Sequence, residues 1–126
     1  MCLLSNRSEA NVAKKDITCY KLVHSETFQS PFYYKKYRVG GSYTEPTFEA
    51  KKNKGAFDRD VRIEFGFHTY KTIQTTRCHG DFRFAILKCV IPAGTRYWED
   101  AYDETYCSET IKVVAWKPFW GGKWGV

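Results

Sequence analysis

Between Phe82 and Ile91 the chain carries its longest apolar run, and Pro92-Ala93-Gly94 closes it with residues suited to a turn. Successive side chains of a strand point to opposite faces. Phe82, Phe84, Ile86 and Val90 therefore share one face, and Ala85, Leu87, Cys89 and Ile91 the other. Both faces are apolar, which suits a strand covered on both sides. The run predicts a buried central strand, and the other elements must be arranged around it.

The flanking segments supply candidates for that arrangement. Ile17 to His24 alternates, with Ile17, Cys19, Lys21 and Val23 opposite Thr18, Tyr20 and Leu22, and reads as the first strand. Phe32 to Val39 is β-prone but strongly basic, and Gly40-Gly41 ends it in a tight turn before a short strand at Ser42 to Thr44. Pro46 to Asp60 is charged and contains glycine, as a solvated loop does. Val61 to Phe67 alternates again, and Gly66 within it marks a bulge or a close approach of another backbone. His68 to Gly80 predicts the helix, with Thr69 as N-cap and Gly80 as its stop, although four threonines weaken it. Beyond the turn, Thr95 to Trp98 extends briefly, Trp98 to Glu109 reads as an acidic loop or irregular helix, and Ile111 to Trp116 closes the sheet. The tail from Lys117 is rich in tryptophan and glycine, and is apolar enough to pack on its own domain or on a partner. Residues 1–16 lack a clean period and read as an N-terminal arm.

Length and composition bound the rest. A chain of 126 residues fits one domain and buries roughly two thirds of the surface its unfolded form exposes. Aromatic residues make up 17%, which favours strands over helices. The net charge of +6 favours anionic partners without choosing between nucleotides, nucleic acid and acidic surfaces. Five cysteines, an odd number with no C-x-x-C pair, point to a reduced, cytoplasmic setting. No apolar run reaches the 18 or so residues of a membrane span, so no membrane is expected.

Catalytic and metal signatures are incomplete. Cys78-His79 and His68 do not supply the paired ligands of a zinc site, so no metal is expected. Cys89 sits within the central strand, and Cys107 lies in an acidic stretch that raises a thiol pKa. No glycine-rich phosphate cradle is present. The strongest interaction signal is the basic aromatic segment from Phe32 to Arg38. Its cations suit phosphates and its rings suit bases, although lysines also guard edge strands.

At Gly66-Phe67-His68-Thr69-Tyr70, at Ile91-Pro92-Ala93-Gly94-Thr95-Arg96-Tyr97 and at Ser108-Glu109-Thr110-Ile111, the chain resembles small proteins of phages and gut bacteria, in which an I-P-x-G-T-x-Y turn precedes an S-x-x-I strand. That resemblance implies a ligand-binding or host-interaction role, one version being capture of a nucleotide immune signal in the host cytoplasm. The same segment is similar, more distantly, to the closing hairpin of ADP-ribosyltransferases. This second resemblance implies Glu109 as the catalytic carboxylate, with His24, Tyr43 or Tyr70 lining a nucleotide pocket. The E-x-E or Q-x-E pair and the S-T-S strand of that family are absent from this chain.

The expectation is an α+β fold over residues 17–126, with a mainly antiparallel sheet of five or six strands and one packed helix. Its function is expected to be non-enzymatic binding of an anionic, nucleotide-like small molecule, with no cofactor. Tyr34, Lys36, Arg38, His68, Tyr70, Arg96 and Tyr97 are the candidate binding residues, and they must converge on one concavity. An ADP-ribosyltransferase-like enzyme or degenerate relative and a nucleic-acid-binding module are the alternatives. The Trp-rich tail is a candidate homo-oligomer contact.

Overall fold

The structure is a computed structural model that describes residues 3–5, 9–31, 35–48, 61–63, 65–100 and 104–126. In chain order its elements are β1 (Leu3–Ser5), β2 (Asn11–Val12), β3 (Ile17–His24), β4 (Ser42–Thr44), β5 (Val61–Ile63), β6 (Phe67–Tyr70), α1 (Ile73–Cys78), β7 (Phe84–Ile91), β8 (Arg96–Glu99), β9 (Thr105–Ser108) and β10 (Thr110–Pro118). Among the described residues, eight strands form one antiparallel sheet in the order β2-β8-β9-β6-β3-β7-β10-β4, and β1 and β5 pair separately. With its one short helix among the described residues, this is a mainly antiparallel α+β fold.

The centre of the sheet is the pairing expected of the apolar run. β7 lies between β3 and β10, and pairs with β3 over its whole length, from Ile17–Ile91 to His24–Phe84. Ala85, Leu87, Cys89 and Ile91 are fully buried on one face, packed with Cys19, Val23, Ile111 and Val113. On the opposite face Ile86 is fully buried against Leu22, Tyr70 and Phe119, with Ile73 of α1 and Trp124 packed on the group. Phe82 falls outside the strand and is exposed.

Four expectations are corrected. The sheet has eight strands rather than five or six, because β2, with two residues, is too short to show a period in sequence. β9 lies within the stretch read as an acidic loop or irregular helix: Tyr106 and Ser108 carry no charge, and the acidic side chains fall at or outside its ends. The helix starts later than expected, since His68, Thr69 and Tyr70 belong to β6 and pair with β9. Its N-cap is Thr72, whose hydroxyl accepts from the Thr75 N–H at 3.0 Å, and His79 is the C-cap. A β-branched and aromatic F-H-T-Y segment that finds a partner strand gains more from the ladder than from a helix. Finally, the strand expected over Val61 to Phe67 is interrupted: β5 ends at Ile63, Phe65 and Gly66 lie between strands, and β6 begins at Phe67.

Both chain ends contribute to the sheet. Within the segment read as an arm, β1 pairs with β5 and β2 with β8. The N–H of Gly94 donates to the Ala13 carbonyl at 2.8 Å, and the N–H of Ala93 to the Asp16 carboxylate at 2.9 Å, fastening residues 13–16 to the Pro92-Ala93-Gly94 turn. The tail folds back on its own domain: Trp116 and Gly125 exchange backbone hydrogen bonds of 2.9 and 2.7 Å, and Trp124 stacks on Tyr20 at 6.0 Å. Phe32, Tyr33 and Tyr34, and most of the expected loop from Pro46 to Asp60, lie outside the described residues. From Lys35 the basic segment is irregular, with a single bridge between Lys36 and Gln29.

Truncating the central strand tests this layout. Leu87→Ala should cost about 2–5 kcal/mol of stability in chemical denaturation, as fully buried leucines do. A loss under about 1 kcal/mol would mean that β7 is not the centre of the core.

Candidate ligand pocket

β3 and β6 are neighbours in the sheet but pair only at Tyr20–Tyr70. Beyond that pair the strands part, and a pocket of about 500 Å³ is lined by Lys21 and Leu22 from one strand and by Phe67, His68 and Tyr70 from the other. Its volume falls within the range of small-molecule sites. Residues of both sheet faces line it, as an opening between two strands allows.

Lys21 is the least expected of these residues. Strand alternation puts it between Cys19 and Val23 on the face that packs the main core, and it is itself only 9% exposed. Its ammonium donates to the His68 carbonyl at 2.9 Å and lies 5.6 Å from the centre of the Tyr37 ring. Among the described residues no carboxylate pairs with it. Burial holds its pKa below the usual lysine value; the thiols of Cys89, Cys19 and Cys107 oppose the shift, and Lys35 adds to it. Cys19 and Cys89 do not neutralise the ammonium at pH 7. Burial pushes the Cys19 thiol up to about 11 and that of Cys89 well above its ordinary value.

The walls are aromatic and the rim is polar. Tyr37, Phe67, Tyr70 and Phe84 present rings to the pocket. Burial pushes the Tyr70 hydroxyl up to about 12, so it remains a neutral phenol at pH 7. Lys35, an exposed residue, lies with its ammonium 5.0 Å from the Phe67 ring centre and 5.4 Å from that of Tyr43. His79 stacks on Tyr70 at 4.8 Å, and its Nδ1 is 2.9 Å from the Thr75 carbonyl. A carbonyl only accepts, so Nδ1 carries the hydrogen of this bond. Glu45 is the pocket's carboxylate; hydrogen bonds from the Thr47 hydroxyl at 2.6 Å and N–H at 3.1 Å hold its pKa below the usual value.

Gly66 and Cys107 support the His68 side of the opening. Gly66 has φ +144, and a Cβ built there would lie 2.4 Å from the Cys107 sulfur. That sulfur is 3.6 Å from the Phe65 carbonyl and 3.8 Å from Nε2 of the buried His68. The close approach read from Gly66 is therefore to β9, both to the Cys107 side chain and to the backbone carbonyl of Ser108, which would lie 3.1 Å from such a Cβ.

Of the six residues singled out in sequence that are described, His68 and Tyr70 line this pocket. Tyr34 lies outside the described residues. Lys36 is exposed and lines neither of the two pockets described, and Arg38 lines a second, more open recess of about 400 Å³ beside Phe28 and Trp116. Arg96 makes two hydrogen bonds to Glu109, at 3.1 and 2.6 Å, that hold the carboxyl below its usual range. Tyr97 packs edge-on against Tyr106 at 5.7 Å. Glu109, the carboxylate implied by the transferase resemblance, does not line the pocket. The fold also brings in Lys35 and Tyr37, from the basic aromatic segment singled out in sequence, and Lys21 and His79, which were not chosen as binding residues. One signal was present: Lys21 interrupts an otherwise apolar strand face, and a buried lysine is expensive unless something anionic compensates it.

Among the described residues no group of three or more His, Cys, Asp or Glu side chains is placed to hold a metal ion, and no helix is long and apolar enough to cross a membrane. Comparison with protein families, with curated proteins and with solved structures gave no match.

Two substitutions probe the site's construction. Gly66→Ala should lose about 2 kcal/mol or more in chemical denaturation, from backbone strain and the clash with Cys107; an unchanged midpoint would contradict the close approach. Lys21→Met should raise Tm at neutral pH by roughly 3–6 °C, since an apolar side chain removes an uncompensated buried charge worth about 1 kcal/mol. The pH dependence follows from linkage. A lysine with a lowered folded pKa binds fewer protons in the folded than in the unfolded state, so the wild type gains stability as pH rises from that folded value towards about 10.4. The Tm advantage of Lys21→Met should accordingly shrink between pH 7 and pH 10. A constant or widening gap in thermal denaturation would contradict a depressed Lys21.

Proposed function

We propose that this chain is a non-enzymatic binding protein for an anionic, nucleotide-like ligand, and that the opening between β3 and β6 is where the ligand sits. One observation carries the proposal: Lys21 is buried, with no carboxylate among the described residues paired to it, at the wall of a pocket large enough for a small molecule. A phosphate or carboxylate there would supply the missing partner through a charge-assisted hydrogen bond, in surroundings where water competes little. Lys35 offers a second cation, and the Tyr37, Phe67, Tyr70 and Phe84 rings offer flat apolar surface for a base. The position of Glu109, held by Arg96 and outside the pocket lining, favours binding over group transfer. In the setting implied by the resemblance to small phage proteins, such a binder would sequester a host signalling nucleotide.

Calorimetry with ADP, ADP-ribose derivatives and cyclic dinucleotides at neutral pH tests this. At least one should bind, and Lys21→Met should weaken it by roughly 10- to 100-fold, the value of a hydrogen bond to a charged group, while the variant remains folded. Absence of binding across the panel, or affinity indifferent to Lys21→Met, would overturn the proposal.

A further inference from the structure

An uncompensated amine inside an apolar pocket has chemistry that a surface lysine lacks. The Lys21 Nζ lies beside two pocket-lining groups, the His68 carbonyl and the Tyr37 ring. Among the described residues, the titratable or charged groups facing it are the thiols of Cys19 from β3, Cys89 from β7 and Cys107 from β9, together with Lys35. Nothing in that set stabilises an ammonium as a carboxylate would. Burial shifts Lys21 towards the neutral amine, the form with a free electron pair.

We propose that Lys21 captures the aldehyde or ketone of an anionic ligand as an imine, and that the pocket favours phosphorylated reducing sugars and nucleoside diphosphate sugars with a free anomeric carbon. The amine nitrogen attacks the carbonyl carbon, and the C=O π electrons move to oxygen. A proton passes from nitrogen to that oxygen, giving a carbinolamine. Loss of the hydroxyl as water leaves a C=N bond, so that amine and carbonyl become imine and one molecule of water. The step needs no oxidant or reductant. His79 lines the same pocket, and Lys35 offers a second cation for phosphate. A ribose with a free C1 opens to an aldehyde, whereas a nucleotide whose C1′ carries a base does not. Reducing-end ligands would therefore be held covalently, and ordinary nucleotides only by charge and stacking.

This inference rests on the pocket reading above for the ligand's anionic part, and the two are separable in one experiment. The wild-type chain is incubated at pH 7 with ADP-ribose and sodium cyanoborohydride, which reduces the imine to a stable secondary amine, and adducts are located by peptide mass mapping. ADP is the competitor, and its own binding is measured by calorimetry. The proposal expects Lys21 to be labelled faster than exposed lysines such as Lys14 and Lys123, since a lowered pKa makes the neutral amine more abundant at a given pH. ADP should suppress the label, and Lys21→Arg, which keeps a cation, should abolish it. Labelling of Lys21 that ADP leaves unaffected supports the imine and removes the adenine-nucleotide reading. ADP binding with Lys21 labelled no faster than the exposed lysines overturns the imine and leaves the pocket reading standing. Neither binding nor preferential labelling overturns both.

Discussion

A lysine ammonium buried with no paired carboxylate among the described residues is a costly interaction, and the architecture around it explains how it is tolerated. Moving a charge from water into an apolar interior is unfavourable by several kcal/mol even after relaxation. Lys21 meets only partial compensation, from one backbone carbonyl and the face of one tyrosine. A sheet gains nothing in stability from such a residue at a core position, where leucine or methionine would serve. The incomplete compensation makes Lys21 available to a guest.

The rest of the fold holds that position open. β3 is anchored along its whole length by β7, so its course does not depend on β6, and the two can part after Tyr20–Tyr70. β6 is anchored on its far side by four pairs with β9, which lets its inner edge face a pocket instead of a strand. Gly66 admits the Cys107 sulfur directly beneath the backbone at the entry to β6, and the C-terminal tail covers Ile86, the Leu22 cluster and Tyr20 from behind. Each support lies on a different segment. The opening is a property of the whole sheet rather than of any local motif.

That division explains what was legible in the amino-acid order. The central strand, its two apolar faces and the turn at Pro92-Ala93-Gly94 were readable because alternation and turn chemistry are local. The strand at His68 to Tyr70 was not, because a short segment before a helix takes its state from a partner strand nearly forty positions away. For the site, the conspicuous cluster from Phe32 to Arg38 supplies Lys35 and Tyr37 to the pocket but not Lys36 or Arg38. Density of charge and rings in sequence does not determine which side chains share a hollow. Lys21 gave a quieter signal, a cation on an apolar stripe, whose meaning depends on burial that no local pattern reports. His79 acquires its place from the helix C-cap and its stacking on Tyr70, neither of which was visible before the strand and helix boundaries were known.

The account stands on the state of one amine, and that state can be observed directly. In protein carrying 13C at the lysine ε positions, NMR titration reports each ammonium separately. One resonance, assigned to Lys21, should titrate below all the others in the empty protein and move back up when a phosphate-bearing ligand is added. A Lys21 that titrates with the surface lysines near about 10.4, and does not respond to such ligands, would contradict the account.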